Sequence, residues 1–199
     1  MLTAGFGNPV LSAQSTFRAI LDAMARPGSV QPIGEAVEAP GPMSAGAAAL
    51  ALTLCDHDAP VWLDDGLRQH EAVSEWLRFH CGCPIASSKA EAAFAFISDP
   101  DALPSFDEFN LGTVDYPDRS TTVVMQVASF DVGPTLALAG PGIKARTAFR
   151  ASPLPADMPE RLAFNRRLFP RGVDLILVTA NTVAALPRSI RLMERMECT

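Results

Sequence analysis

Residues 173–180, VDLILVTA, form an almost unbroken apolar run of strand length. A strand with one wet face alternates apolar and polar residues, whereas one buried on both faces reads as a continuous run. Both faces of its sheet must then be covered, so the chain is expected to fold in layers. AFAFIS (93–98) is a second run of this kind. VWL (61–63), TTVVMQV (121–127) and PTLALAG (134–140) are further strand candidates, the last two across a turn containing Asp131 and Gly133. TVAALP, which follows Asn181, is placed to pair with the 173–180 strand.

Helical patterns lie between the strands. Ser12 can cap a helix whose Phe17, Ile20, Leu21 and Met24 fall at the spacing of one buried stripe. After the Pro40-Gly41-Pro42 loop, Ser44 caps an Ala-rich helix running to about Leu54. Residues 69–80 place Val73, Trp76, Leu77 and His80 on one stripe and stop before Gly82 and Pro84. The loop from Asp99 to Arg119 is rich in Pro, Asp and Gly, and a further helix is expected from Pro159 to about Leu168, with Leu162 and Phe169 apolar. Helices interleaved with buried strands predict a layered α/β domain, and 199 residues suit one such domain over the whole chain.

Composition narrows the function. Charged residues are 19% of the chain, against about 25% for soluble domains, so the surface is lightly charged and leaves room for subunit contacts. The apolar run GAAALALTL ends at Cys55-Asp56-His57, well short of the ~18 residues that cross a bilayer. MLTAGFGNPVLSAQ lacks the basic and apolar regions of a secretory signal, so a cytoplasmic location is expected, with Cys55, Cys81, Cys83 and Cys198 as reduced thiols.

Charge is unevenly spread. From Lys144 to Arg195 there are ten basic and four acidic residues, a net of +6, while the whole chain carries −6. The basic segment either meets an anionic ligand or acidic partner, or neutralises the acidic part within the fold. In FRAILDAMARPGSV, Pro27 forces the helix to end and Gly28 supplies the flexible residue beyond it. Arg26 then stands beside unpaired carbonyls, where a cation is favoured by ~0.3–1 kcal/mol, and four residues after Asp22. Pro170-Arg171-Gly172 and Pro187-Arg188 repeat the pairing of arginine and proline at an element boundary. These turns are either stop signals or an anion or interface site made of Arg26, Arg171 and Arg188, with Gly28 and Gly172 setting the backbone.

Other chemistries lack their residues. Gly140-Pro141-Gly142 is a tight turn and not a phosphate cradle, because Pro141 offers no N–H and no P-loop spacing follows. His80-Cys81-Gly82-Cys83 has no second ligand pair for zinc, so no metal is expected. No G-x-S-x-G or H-E-x-x-H occurs, and only Lys89 and Lys144 could form a Schiff base. The basic segment has neither the aromatic interleaving nor the Lys-rich helix of a nucleic-acid reader.

Six stretches, FRAILDAMARPG, LALTLCDHDAPVWL, LRFHCGCP, LGTVDYPDRSTTVVMQV, LAGPGI and NRRLFPRGVDLILVTANTVAALPRSIR, occur in this order. Together they resemble the PhnH family, a subunit of the bacterial carbon-phosphorus lyase system, over about residues 8–192. The resemblance implies a three-layer α/β/α fold with a mixed sheet, similar to the large domain of pyridoxal-phosphate-dependent aminotransferases but without the cofactor. It implies a homodimer that joins the G, I and J subunits, with an ATP-binding L subunit. That machinery forms ribose 1-phosphonate 5-triphosphate from ATP and an alkylphosphonate. The chain is then required without carrying the chemistry. A stand-alone anion- or nucleotide-binding enzyme or sensor, and a degenerate pyridoxal-phosphate enzyme, are the alternatives. Cys81 and Cys83 lie outside the family's pattern, and no catalytic residue carries over.

Overall fold

The computed structural model describes residues 3–34 and 37–193, so Glu194, Arg195 and Cys198 of the charge and thiol tallies lie outside the described residues. Strands β2 (Val61–Leu63), β3 (Phe94–Ile97), β4 (Thr122–Gln126) and β7 (Asp174–Val178) run parallel. β8 (Thr182–Leu186) returns antiparallel beside β7, as expected, and β1 (Gln31–Pro32) closes the edge, giving the order β1-β8-β7-β4-β3-β2. The result is α/β with a mixed six-stranded sheet. Pro32 is tolerated because an edge strand has ladder positions with no partner to serve. The β7 run is apolar for the reason its sequence implies: Ile176 and Val178 enter one buried cluster, Leu175 and Leu177 the other.

The first face is covered by helices α1 (Pro9–Ala25), α2 (Ala45–Leu54), α3 (Asp65–Arg68) and α4 (Glu71–Cys81). In α4, Val73, Trp76 and Leu77 are buried, and Gly82 ends the helix with φ 70°. Ser44 caps α2 by accepting the Ala47 N–H at 3.2 Å.

α1 departs from expectation twice. Its cap is Asn8, whose side chain accepts the Leu11 N–H at 3.2 Å, and Ser12 is buried inside the helix. Asn-Pro is the stronger start, because Pro9 has no N–H to leave unpaired. The buried face is Thr16, Ala19, Ile20 and Ala23, whereas Phe17 and Leu21 are 45% and 51% exposed. α1 packs on α2, whose Ala47 to Ala51 are wholly buried. Small side chains fill much of this contact beside Ile20, and Phe17 and Leu21 turn outward.

The second face carries α5 (Met158–Arg167), a separate antiparallel sheet β6-β5-β9 (Thr147–Phe149, Leu136–Ala139, Arg191–Leu192) and short 3-10 turns that contribute Leu103, Phe106 and Phe109. β4 and β5, adjacent in sequence, therefore belong to different sheets. Leu162 of α5 is buried, but Phe169 beyond its end is 52% exposed. Buried Asn165 holds both backbone groups of Val173, donating to its oxygen at 2.8 Å and accepting its N–H at 3.0 Å. Gly172 is required beside it: φ is 122°, and a Cβ would stand 2.4 Å from Asn165 Oδ1.

Candidate functional site

The arginine-bearing turns gather at the N-terminal ends of the parallel strands. The β7–β8 register opposes Leu175 with Leu186, which brings Asp174 to the turn holding Arg188. The Arg188 guanidinium donates to Asp174 from Nε (3.1 Å) and Nη2, and its backbone N–H donates to the same carboxylate at 2.9 Å. Nη1 reaches the Pro117 carbonyl at 2.6 Å and the Pro170 carbonyl at 3.5 Å, and Nη2 reaches Ser120 Oγ. Side-chain exposure is only 12% for Arg188 and 17% for Asp174. Arg188 thus ties three chain segments together with its donors already engaged.

Arg26 sits at the α1 C-cap and pairs with Asp22 at 2.9 Å, both side chains half-exposed. Gly28 (φ 81°) donates to the Ala185 carbonyl at 3.2 Å, and a Cβ there would lie 2.9 Å from Leu138. Gly28 therefore fixes the α1 exit between both sheets. Arg171 is exposed in the turn after α5, with its backbone N–H on the Leu168 carbonyl. The three arginines do not converge on a common point by any ion pair or hydrogen bond. The turns of Arg171 and Arg188 instead border one groove of about 370 Å³, lined by Phe169, Pro170, Pro187 and Arg188, with Pro117 and, from the last turn of α1, Met24.

Open α/β sheets bind small ligands outside the carboxyl ends of their strands, at the opposite edge. There, the ends of β4 and β7 border a cavity of about 460 Å³ with Ser129, Asp131, Thr179 and Asn181 in its wall and neither Lys nor Arg. The ends of β2 and β3 border cavities of about 450 and 480 Å³ that share Trp62, Lys89 and Glu108. Asp64 in this wall is 2% exposed and spent on structure: it caps α3 at Leu67 N (2.9 Å) and accepts from Ser98 N (2.6 Å) and Asp99 N (3.1 Å).

Lys89 pairs with Glu108 and lies 5.6 Å from the Trp62 ring centre. The Lys89 amine is thus engaged by a carboxylate and not free in the cavity. Lys144 is exposed. The Lys89 hydrogen bond is the chief cause that holds the Glu108 carboxyl below its usual range. A lowered carboxyl adds stability above its unfolded pKa of about 4.3, and that stability is lost as pH falls through the lower folded value. With Glu108 46% exposed the pair is solvent-screened, so its worth is under ~1 kcal/mol. Lys89→Gln is expected to lower the urea midpoint slightly at pH 6, with the difference from wild type vanishing as pH drops below about 4.

No nucleophile is activated by a histidine in these contacts. His80 Nε2 meets the Thr3 carbonyl at 3.0 Å, and His57 lies on the surface beside Asp58 at 3.3 Å. Cys55, Cys81 and Cys83 are free thiols. Cys81 is pushed up chiefly by its hydrogen bond with Cys83, and Cys83 is pulled down by the same contact. Among the described residues no group of His, Cys, Asp or Glu could hold a metal ion, and no helix is long and apolar enough to cross a membrane.

The chain is an α/β protein with a mixed sheet whose Asp174–Arg188 pair braces the fold. The family described as "Bacterial phosphonate metabolism protein (PhnH)" matches residues 4–193, and the chain belongs to that PhnH family. A relative from Rhizobium meliloti (strain 1021), "Alpha-D-ribose 1-methylphosphonate 5-triphosphate synthase subunit PhnH", is 43% identical over 190 residues, covering 96% of this chain and 94% of that protein. A second, "Putative C-P lyase subunit protein HtxG" of Stutzerimonas stutzeri, is 35% identical over 177 residues, covering 88% and 83%.

Proposed function

We propose that this chain is a required but non-catalytic subunit of a carbon-phosphorus lyase core complex. It supports the formation of ribose 1-phosphonate 5-triphosphate from ATP and an alkylphosphonate, in the cytoplasm. The observation that carries this reading is the near full-length 43% identity to a protein named as a subunit of such a synthase. The site chemistry supports it: Arg188 and Arg26 already hold the carboxylates of Asp174 and Asp22, and Lys89 holds Glu108.

The partners are the G, I and J subunits, with an ATP-binding L subunit, and a second copy of this chain. A homodimer is supported by α1, which turns Val10, Leu11, Phe17 and Leu21 to solvent along its length. We infer further that the chain is one domain with the fold of the aminotransferase large domain, its cofactor site lost. Buried clusters on both faces of one mixed sheet support the first part, and the engagement of Lys89 by Glu108 supports the second. Arg26, Gly28, Arg171, Gly172 and Arg188 act in this scheme by shaping a contact face.

The purified chain is expected to neither cleave ATP nor consume methylphosphonate, and to give no calorimetric heat with ATP, ribose phosphates or alkylphosphonates. Turnover by the isolated protein rejects the reading. Binding of one of these anions that is lost in Arg26→Ala or Arg171→Ala favours a stand-alone sensor instead.

A further inference from the structure

The groove at the N-terminal ends of the parallel strands has walls set by three prolines. Pro117, Pro170 and Pro187 have fixed φ angles, and Arg188 binds the carbonyls of the first two while its own turn follows the third. The groove is therefore formed before anything enters it, and filling it costs little ordering. Of its three charged lining residues, Asp174 and Arg188 are spent on each other and Asp118 stands at the rim, so the floor is suited to an apolar side chain.

The rim has a different character. Phe169 is 52% exposed with the Arg166 guanidinium 4.7 Å from its ring centre, and Tyr116 is 53% exposed with that of Arg119 at 4.3 Å. Arg171 stands exposed next to Pro170. Against these three arginines the same rim carries Asp118, itself a lining residue. The loop of Tyr116 and the turn of Phe169 are held side by side, because Gly172 N–H donates to the Leu111 carbonyl at 2.9 Å. Arg166 Nη1 is itself buried and has no hydrogen-bond partner among the described residues, so its guanidinium is held at the rim chiefly by the Phe169 ring. Exposed aromatic rings and arginines around an apolar groove are the residue types that carry binding energy in protein interfaces.

We propose that this groove and its rim dock a segment of a sister subunit that inserts an apolar side chain flanked by carboxylates. The inference rests on the subunit reading above and adds the face and the chemistry of the contact. It also accounts for the basic C-terminal segment in a chain that is acidic as a whole: a positive rim presents itself to an acidic partner without repelling it. The groove takes Met24 of α1 into its wall, one helical turn beyond exposed Leu21, so sedimentation of the variant is what separates a sister chain from a second copy.

The test uses the double variant Phe169→Ser/Arg171→Glu, co-expressed with the tagged G, I and J subunits. Both side chains are exposed, and an unchanged melting temperature of the variant confirms that the fold is retained. Retention on the tagged subunits is expected to fall by about tenfold or more, as for loss of a central interface anchor. Retention of the wild type is expected to weaken as salt is raised, and Arg171→Glu alone is expected to slow association, because rim charges act chiefly on encounter. Wild-type retention by the folded double variant overturns the proposal while leaving the subunit reading intact. A wild type that is not retained at all rejects that reading and the docking site with it. If the double variant keeps its partners but sediments as a monomer where the wild type is a dimer, the face holds a second copy and the proposal is likewise overturned.

Discussion

Arg188→Met is expected to lower the free energy of unfolding by about 3–5 kcal/mol, the usual cost of removing one partner from a buried ion pair. Asp174, 17% exposed with Arg188 in place, is left with no guanidinium, and the Pro117 carbonyl and Ser120 hydroxyl each lose a donor. The change is read as a drop in the urea midpoint with little change in slope, since the surface exposed on unfolding is unaltered. Replacing both members, in Arg188→Met/Asp174→Leu, is expected to recover much of the loss, because an apolar pair has no charge to strand. A single variant that loses less than about 1 kcal/mol, the typical worth of an exposed pair, contradicts the view of Arg188 as an internal tie. The same variant tests a consequence for assembly: with Arg188 gone, the two proline walls that it holds lose their common anchor.

Gly142→Ala is expected to be nearly as damaging, for steric reasons. A Cβ at this position would lie 2.0 Å from the Ala25 carbonyl oxygen and 2.9 Å from Pro27 Cδ, both fixed parts of the α1 exit, and φ is +80°. The left-handed backbone alone costs a non-glycine residue about 1–2 kcal/mol. Collision with backbone adds to this, so a total above ~3 kcal/mol is expected, or a fall in Tm of roughly 6–12 °C for a chain of this length. Gly82→Ala separates the two causes. Its φ is also positive, at 70°, but nothing lies within 4 Å of the new Cβ, so only the backbone cost of about 1–2 kcal/mol applies. Equal losses in the two variants, measured by calorimetry, contradict the packing of the 140–142 turn on α1.

The legible parts of the fold were those in which one physical rule acts alone. β7 is apolar because both its faces are covered, and α4 carries a stripe that ends at a left-handed glycine, so both follow from local pattern. α1 shows two rules in conflict. Hydrophobicity selects Phe17, Ile20, Leu21 and Met24 for the buried stripe; Ile20 is buried and Met24 packs against the core, but Thr16, Ala19 and Ala23 take the places beside them and leave Phe17 and Leu21 exposed. The short elements β1, β6, β9 and α3, of two to four residues, are too brief to show a period and exist only through tertiary partners.

The candidate site was half visible. Each arginine-proline neighbour could be seen in the sequence, and Arg26 pairs with Asp22 four residues back as helix geometry dictates. The tie between Arg188 and Asp174 spans 14 residues and depends on the register of a hairpin. Asp174 stood out only as the one carboxylate in an apolar strand. Pairing the two adjacent runs and counting back from their turn is the signal that leads to it. That two of these turns and the last turn of α1 border a single groove depends on how β7, β8 and α1 pack, which no local pattern contains.

The account stands on this chain being needed by a complex and inert without it. The direct measurement is ribose 1-phosphonate 5-triphosphate formation by a mixture of the purified G, I, J and L subunits, ATP and methylphosphonate, with and without this chain. The expected result is product only when the chain is present with its partners, with omission lowering the rate by at least about tenfold, equivalent to ~1.4 kcal/mol of barrier, and no product from the chain alone. Full activity in its absence, or turnover by the chain in isolation, contradicts the account.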